Sequence, residues 1–263
     1  MIGFIGGGNM AEALIRGLIK EGKKDIIVSD PKDQRREYLT KYYGIKTTAY
    51  NNEVVKSSDI IILAIKPQNM KEVLEEIKDS VNDRHTVVSI AAGITLNFIK
   101  LYLKTDKLIR AMPNISAIVG ESMTVLSICE CLEMKVIAPV RDIFMSVGKV
   151  ITLPEHYMNL VTALSGSGPG FFCYILEQFI DIAGEMGFSR EIASELLIQT
   201  FIGTAKMLES GLSPENIRQK VTSPKGTTEA GLKILSDVSF RNILFRTLNE
   251  ATQRAKKLSL QED

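Results

Sequence analysis

The chain has 263 residues, is 45% hydrophobic and 24% charged, and carries a net charge of +1. This is the composition of a globular protein with a core, long enough for one large domain or two ordinary ones. Near-neutral charge argues against nucleic acid or an acidic membrane surface as a partner, and the longest clear apolar run, Ile60–Ile65, is far short of the ~20 residues that cross a bilayer. Cys129, Cys131 and Cys173 are too few and too scattered for a disulfide framework. They read as small apolar fillers in a reducing compartment. With only two histidines beside them, no metal site is expected. The N-terminus enters a strand pattern with neither a basic stretch nor a cleavage site, so a cytoplasmic protein is expected.

In chain order, Met1–Ile5 is a short apolar run ending in glycines, and Asn9–Glu21 has helical spacing with Met10, Ala13, Leu14, Gly17 and Leu18 on one face. Asp25–Ser29 reads as a second strand and Gln34–Tyr42 as a second helix. Strands follow at Ile60–Ala64, Thr86–Ile90 and Lys107–Met112, with helices near Met70–Ser80 and Leu96–Leu103 between them. Apolar strands alternating with helices predict a parallel sheet with crossover helices, buried on both faces. Beyond Pro154 the strand signal disappears. Tyr157–Leu164, Gly170–Met186, Ile192–Ser210, Glu215–Val221, Thr228–Leu235 and Arg241–Leu258 all carry helical periodicity. The fold class expected is α/β: a Rossmann-type dinucleotide-binding domain over residues 1–153, then an all-α domain over residues 154–263.

Ile5-Gly6-Gly7-Gly8-Asn9-Met10-Ala11 fits G-x-G-x-x-A between a strand and a helix. Gly6 permits a sharp turn, Gly8 lets backbone approach a pyrophosphate, and Ala11 allows close helix–sheet packing. The helix start adds free N–H groups for phosphate. Asp30 follows at the distance of the acidic residue that meets the adenosine ribose of NAD. Lys32, Arg35 and Arg36 come at once after it and either neutralise a 2′-phosphate or form a solvated helix face. NAD and NADP therefore both stay open. Ala64-Ile65-Lys66-Pro67, Ile90-Ala91-Ala92 and Met112-Pro113-Asn114 end successive strands, where ligands of open α/β sheets bind.

Two loops interrupt the helical half. Ser165-Gly166-Ser167-Gly168-Pro169-Gly170 opens a long apolar helix. In Ser223-Pro224-Lys225-Gly226-Thr227-Thr228, proline fixes φ, glycine permits an unusual backbone angle and the hydroxyls offer donors. Its amides at a helix start suit an anion, though a capped helix start explains the same residues.

GFIGGGNMAEAL, LAIKPQNM, VSIAAGIT, RAMPN, LSGSGPGFF, GTAKMLESG and VTSPKGTTEAGLKIL, in this order, resemble the pyrroline-5-carboxylate reductase family from Ile2 to about Leu258. The resemblance implies a Rossmann domain followed by a helical domain that intertwines in a homodimer, with dimers often forming larger rings. It implies reduction of 1-pyrroline-5-carboxylate to L-proline by NADPH or NADH, the last step of proline biosynthesis. By this likeness Gly6, Gly8, Asn9 and Met10 hold the pyrophosphate and Asp30 lies by the ribose. Asn51, Ala64, Ile65, Lys66, Pro67, Ile90, Ala91 and Ala92 line the cofactor site. Ser223, Gly226, Thr227 and Thr228 form the substrate loop, offered to the other subunit's site, with Thr228 near the ring nitrogen as the catalytic residue; Lys225, within this loop, is a further candidate for binding the substrate carboxylate.

Three positions depart from the family pattern. Ile115-Ser116 replaces Thr-Pro, Lys225 replaces glycine or asparagine, and Gly170 replaces alanine. These keep two alternatives in view: a non-catalytic dinucleotide-binding regulator, and a reductase of another cyclic imine carboxylate. A β-hydroxyacid dehydrogenase would need a lysine where Phe172 stands.

Overall fold

The computed structural model describes residues 1–129 and 132–260. Its N-terminal part runs β1 (Ile2–Ile5), α1 (Asn9–Lys20), β2 (Ile26–Ser29), α2 (Asp33–Tyr43), β3 (Lys46–Thr48), α3 (Asn51–Ser57), β4 (Ile60–Leu63), α4 (Met70–Ile77), β5 (Thr86–Ser89), α5 (Leu96–Lys100) and β6 (Leu108–Met112). It continues through β7 (Ser122–Ile128), α6 (Met134–Met145) and β8 (Gly148–Thr152). The strands form one sheet in the order β3-β2-β1-β4-β5-β6-β7-β8. The first six are mutually parallel, β7 runs antiparallel to β6, and β8 is again parallel to β7.

The sheet is buried on both faces, as the continuous apolar strands predict. Neighbouring residues alternate between two cores. Phe4, Ile62 and Val88 join Leu14, Leu18, Val140 and Phe144 on one face. Ile5, Ile61, Leu63 and Val87 join Val54, Leu74 and Ile99 on the other. Period-two strands between helices on both sides place the fold in the α/β class.

Sequence reading named no element between Pro113 and Leu153, and here the structure adds β7, α6 and β8. Pro139 lies inside α6, against its usual role as a helix breaker. The antiparallel β7 breaks the purely parallel pattern. Cys129 is disulfide-bonded, not the filler thiol expected. Cys173 is exposed rather than packed inside, and Cys131 lies outside the described residues.

After β8 come a 3₁₀ turn at Glu155–Tyr157, α7 (Met158–Val161), a π-helical turn at Thr162–Gly166 and α8 (Gly168–Glu185). Tyr157–Leu164, expected as one helix, is therefore three short pieces of different winding. Then follow α9 (Arg190–Glu209), α10 (Pro214–Val221), α11 (Thr227–Leu235) and α12 (Val238–Leu260). Two compact units emerge: residues 1–169 with 249–263, and residues 170–248. Within the second, Ile180, Ala193 and Ile217 are the only buried residues. No helix among the described residues is long and apolar enough to cross a membrane.

Candidate functional site

β1, β4, β5 and β6 all end at the same edge of the sheet, and the order reverses between β1 and β4. Open α/β sheets form their ligand crevice at this switch point. Gly6 leaves β1 with φ +95°, and a Cβ there would lie 2.5 Å from the Ala64 carbonyl oxygen. Glycine is thus required twice, for the turn and for the approach to the end of β4. A Cβ at Gly8 would meet nothing within 4 Å, so the loop surface there is open. Gly8 precedes α1 and supplies no side-chain cap, which leaves the first N–H groups of α1, from Asn9 and Met10 onward, to an outside acceptor. An uncapped helix start under open space, bounded by glycine, fits a pyrophosphate. A dinucleotide held there would supply a hydride donor.

Asp30, just past β2, holds this loop. Its carboxylate accepts from the Gly7 amide at 3.0 Å and from the Lys32 amide at 2.9 Å. Arg35 donates to the Gly7 carbonyl from the other side and reaches Glu12 at 2.5 Å. Glu12, in the first turn of α1, also accepts from the Tyr43 hydroxyl at 2.7 Å and the Tyr38 hydroxyl at 2.9 Å. Burial raises the Glu12 carboxyl, but the hydrogen bonds from Tyr43, Arg35 and Tyr38 outweigh it and hold the group below its ordinary range. Burial first, and then the bond to Glu12, push Tyr43 up to about 12. Arg36 donates to the Asp30 carbonyl at 2.7 Å and pairs with Asp33. Sequence reading did not single out Glu12, Tyr38 or Tyr43; only the fold brings α2 against the start of α1.

Asn51 opens α3, where it accepts from the Ser29 hydroxyl at 2.7 Å and donates to Glu76 at 2.7 Å. Ala64, Ile65, Lys66 and Pro67 follow β4, with Lys66 exposed and Pro67 starting a 3₁₀ turn. Ile90, Ala91 and Ala92 follow β5, and Ala91 is buried. The fold thus gathers the ends of β1, β2, β4 and β5 with the start of α3 along one edge.

At the end of β6, Asn114 Nδ2 donates to the Ser165 carbonyl at 3.2 Å, tying this loop to the π-helical turn. A Cβ on Gly166 would lie 2.7 Å from Met112 Cε, so β6 and the turn are in close contact. Asn114 Oδ1 accepts from the Ser116 amide at 3.2 Å, a bond that proline at this position would lack. Deeper, Arg110 is almost wholly buried and meets Glu155 at 3.3 Å. Burial pulls the Arg110 guanidinium below its ordinary value, with Glu155 opposing the shift. Glu155 also accepts from the Leu96 amide at 2.8 Å.

The substrate-loop residues belong to the second unit. Ser223, Lys225 and Thr227 are exposed, while Gly226 and Thr228 are half-buried. A Cβ on Gly226 would fall 2.4 Å from the rotatable Ser223 Oγ and 3.0 Å from the Ser223 carbonyl oxygen. The Gly226 backbone is extended, at φ −83°, and the unusual angle expected of it falls on Lys225 instead. Gly226 precedes α11 without a side-chain cap, and the amides of Thr227 and Thr228 start that helix. Among the described residues Lys225 is the only non-glycine residue with positive φ, at 60°. Its amide donates to Glu229 at 2.6 Å. Lys225 lines an open cavity of about 810 Å³ together with Arg218, Gly226, Glu229 and Lys233.

Residues 155–258 match the family model described as pyrroline-5-carboxylate reductase dimerisation. Residues 1–93 match that of NADP oxidoreductase coenzyme F420-dependent. Among curated proteins, the pyrroline-5-carboxylate reductase of Synechocystis is 38% identical over 98% of this chain and 97% of its own. That of Arabidopsis thaliana is 36% identical over 98% and 95%. Among solved structures, the reductase from Coxiella burnetii superposes with a TM-score of 0.90 at 35% identity, covering 98% of each chain. The Plasmodium falciparum pyrroline carboxylate reductase with NADP bound superposes with a TM-score of 0.86 at 27% identity, covering 98% of this chain and 97% of that one. Relatives at this identity span both units, so the chain belongs to the pyrroline-5-carboxylate reductase family.

Proposed function

We propose that this chain reduces 1-pyrroline-5-carboxylate to L-proline with NADPH or NADH, the last step of proline biosynthesis, in the cytoplasm. The observation that carries the reading is that two of the uncapped helix starts, those of α1 and α11, directly follow a glycine. One, behind Gly8, suits a pyrophosphate, and the other, behind Gly226, suits a small carboxylate. A nicotinamide dinucleotide held behind Gly8 would supply the hydride that reduces the C=N carbon of the substrate. The protein's part is placement and charge. Gly6, Gly8, Asn9 and Met10 hold the pyrophosphate; Asp30, Asn51, Ala64, Ile65, Lys66, Pro67, Ile90, Ala91 and Ala92 line the rest of the cofactor. The Gly226 amide donates to the Ser223 carbonyl at 3.0 Å, so the free amides of Thr227 and Thr228 that follow Gly226, with Ser223 and Lys225, take the substrate carboxylate. As the C=N bond becomes CH–NH, the nitrogen gains electron density and a proton, which solvent delivers. The Thr228 hydroxyl orients that nitrogen through a hydrogen bond that strengthens in the transition state.

A homodimer completes the site. Phe172, Tyr174, Phe179, Ile182, Phe201 and Phe245 lie between 49% and 65% exposed in the second unit. Burying such side chains is worth ~1.5–3 kcal/mol each when complete, and three buried residues do not make a core for residues 170–248. Mass measurement at working concentration distinguishes a dimer from a larger ring. For activity, NADH and NADPH oxidation is followed at the nicotinamide absorbance with 1-pyrroline-5-carboxylate. Turnover with either supports the reading; binding of both with no turnover would instead favour the non-catalytic regulator.

A further inference from the structure

Building on the reading that the glycine loop takes a dinucleotide, we infer that this chain's adenosine-ribose subsite is made for a 2′-hydroxyl. NADH binds in preference to NADPH, and Asp30 sets the preference. The Asp30 carboxylate is fixed by two backbone donors, Gly7 N–H at 3.0 Å and Lys32 N–H at 2.9 Å. Each carboxylate oxygen keeps a second lone pair, so it still accepts a ribose hydroxyl. An ionised 2′-phosphate has no proton to offer it and brings a like charge.

The cations that would offset this charge are already engaged. Arg35 serves the Gly7 carbonyl and Glu12. Arg36 serves the Asp30 carbonyl and Asp33. Turning either toward a phosphate breaks contacts that hold the glycine loop or the Glu12 cluster. Lys32 is exposed, and among the described residues its ammonium has no ion-pair partner. One exposed lysine against one fixed carboxylate leaves no net attraction for a phosphate. The preference separates this chain from what NADP in the names of its matches suggests.

The test is equilibrium binding of NADH and NADPH to the full-length protein by nicotinamide fluorescence. The chain has no tryptophan, so no indole emission overlaps the excitation. The expected result is a Kd for NADH at least about tenfold below that for NADPH, which corresponds to ~1.4 kcal/mol. Asp30→Asn keeps a carbonyl for the Gly7 amide and removes the charge, so the ratio moves toward NADPH. Lys32→Ala weakens NADPH and leaves NADH unchanged. Equal or tighter NADPH binding by the wild type overturns the inference and leaves the reductase reading standing, as does an unchanged ratio in Asp30→Asn. Binding of neither dinucleotide overturns both.

Discussion

Lys225→Gly separates a backbone cost from a side-chain benefit at one position. Lys225 sits at φ 60°, where a residue with a Cβ pays roughly 1–2 kcal/mol. Glycine removes that cost but widens the unfolded ensemble, which costs about 0.4–1 kcal/mol. The bond from the residue-225 amide to Glu229 is a backbone contact and survives the change. Removing one cation beside Arg218 and Lys233, which line the same cavity, acts in the same favourable direction. The variant should therefore be more stable by ~1 kcal/mol, or roughly 2–4 °C in Tm for a domain of this size. Thermal unfolding at fixed protein concentration reads this, and a fall of 2 °C or more refutes the strain argument. Steady-state kinetics on the same variant read the other half. If the ammonium contacts the substrate carboxylate, KM rises by more than kcat falls; an unchanged KM refutes that contact.

Thr228→Ala should lower kcat/KM well beyond twofold in steady-state assays; a smaller loss removes Thr228 from the mechanism. Gly6→Ala should weaken dinucleotide binding by more than tenfold in a fluorescence titration, because its Cβ would sit 2.5 Å from the Ala64 carbonyl oxygen. Glu12 has a depressed carboxyl relative to its ordinary value of 4.5. Its stabilising contribution is therefore complete above that value and is lost as pH falls through the lower folded one. The Tm gap between wild type and Glu12→Gln should accordingly be widest near neutrality and close in acid; a gap independent of pH would count against the network. Glu155→Ala strands the buried Arg110 guanidinium and should cost about 3 kcal/mol in urea unfolding. Arg110→Met leaves only the partly exposed Glu155 and should cost clearly less; equal costs would refute the asymmetry.

The local half of this protein was legible because its signals are short-range. Gly6 and Gly8 sit where a strand must turn into a helix, and a glycine there constrains the backbone whatever the rest of the chain does. Strand runs such as Ile60–Leu63 read as buried because both faces of a parallel sheet are covered. The sequence marks Gly226 for an unusual backbone angle, yet Gly226 is extended and the positive φ lies one residue earlier, at Lys225. Lys225 stands out there only as a departure from the family pattern, since glycine or asparagine would signal a left-handed backbone angle and lysine does not.

Other features wait on packing between distant segments. β7 runs antiparallel because of where the chain returns after Asn114, and no residue in Ser122–Ile128 encodes that direction. α6 survives Pro139 because Val140, Ile143 and Phe144 are buried against the sheet. Asp30 looks, in sequence, like a ribose acceptor alone. The fold shows that it also holds the Gly7 amide, and that the basic residues after it are largely committed to Glu12, Asp33 and the loop carbonyls. Hydrogen-bond partners more than twenty residues apart depend on how helices dock, and docking is a sum of many weak contacts with no motif of its own. Residue types and spacing thus determined the phosphate-binding turn, the sheet's burial and the helical second half. Tertiary structure alone decided which charges remain free to meet a ligand.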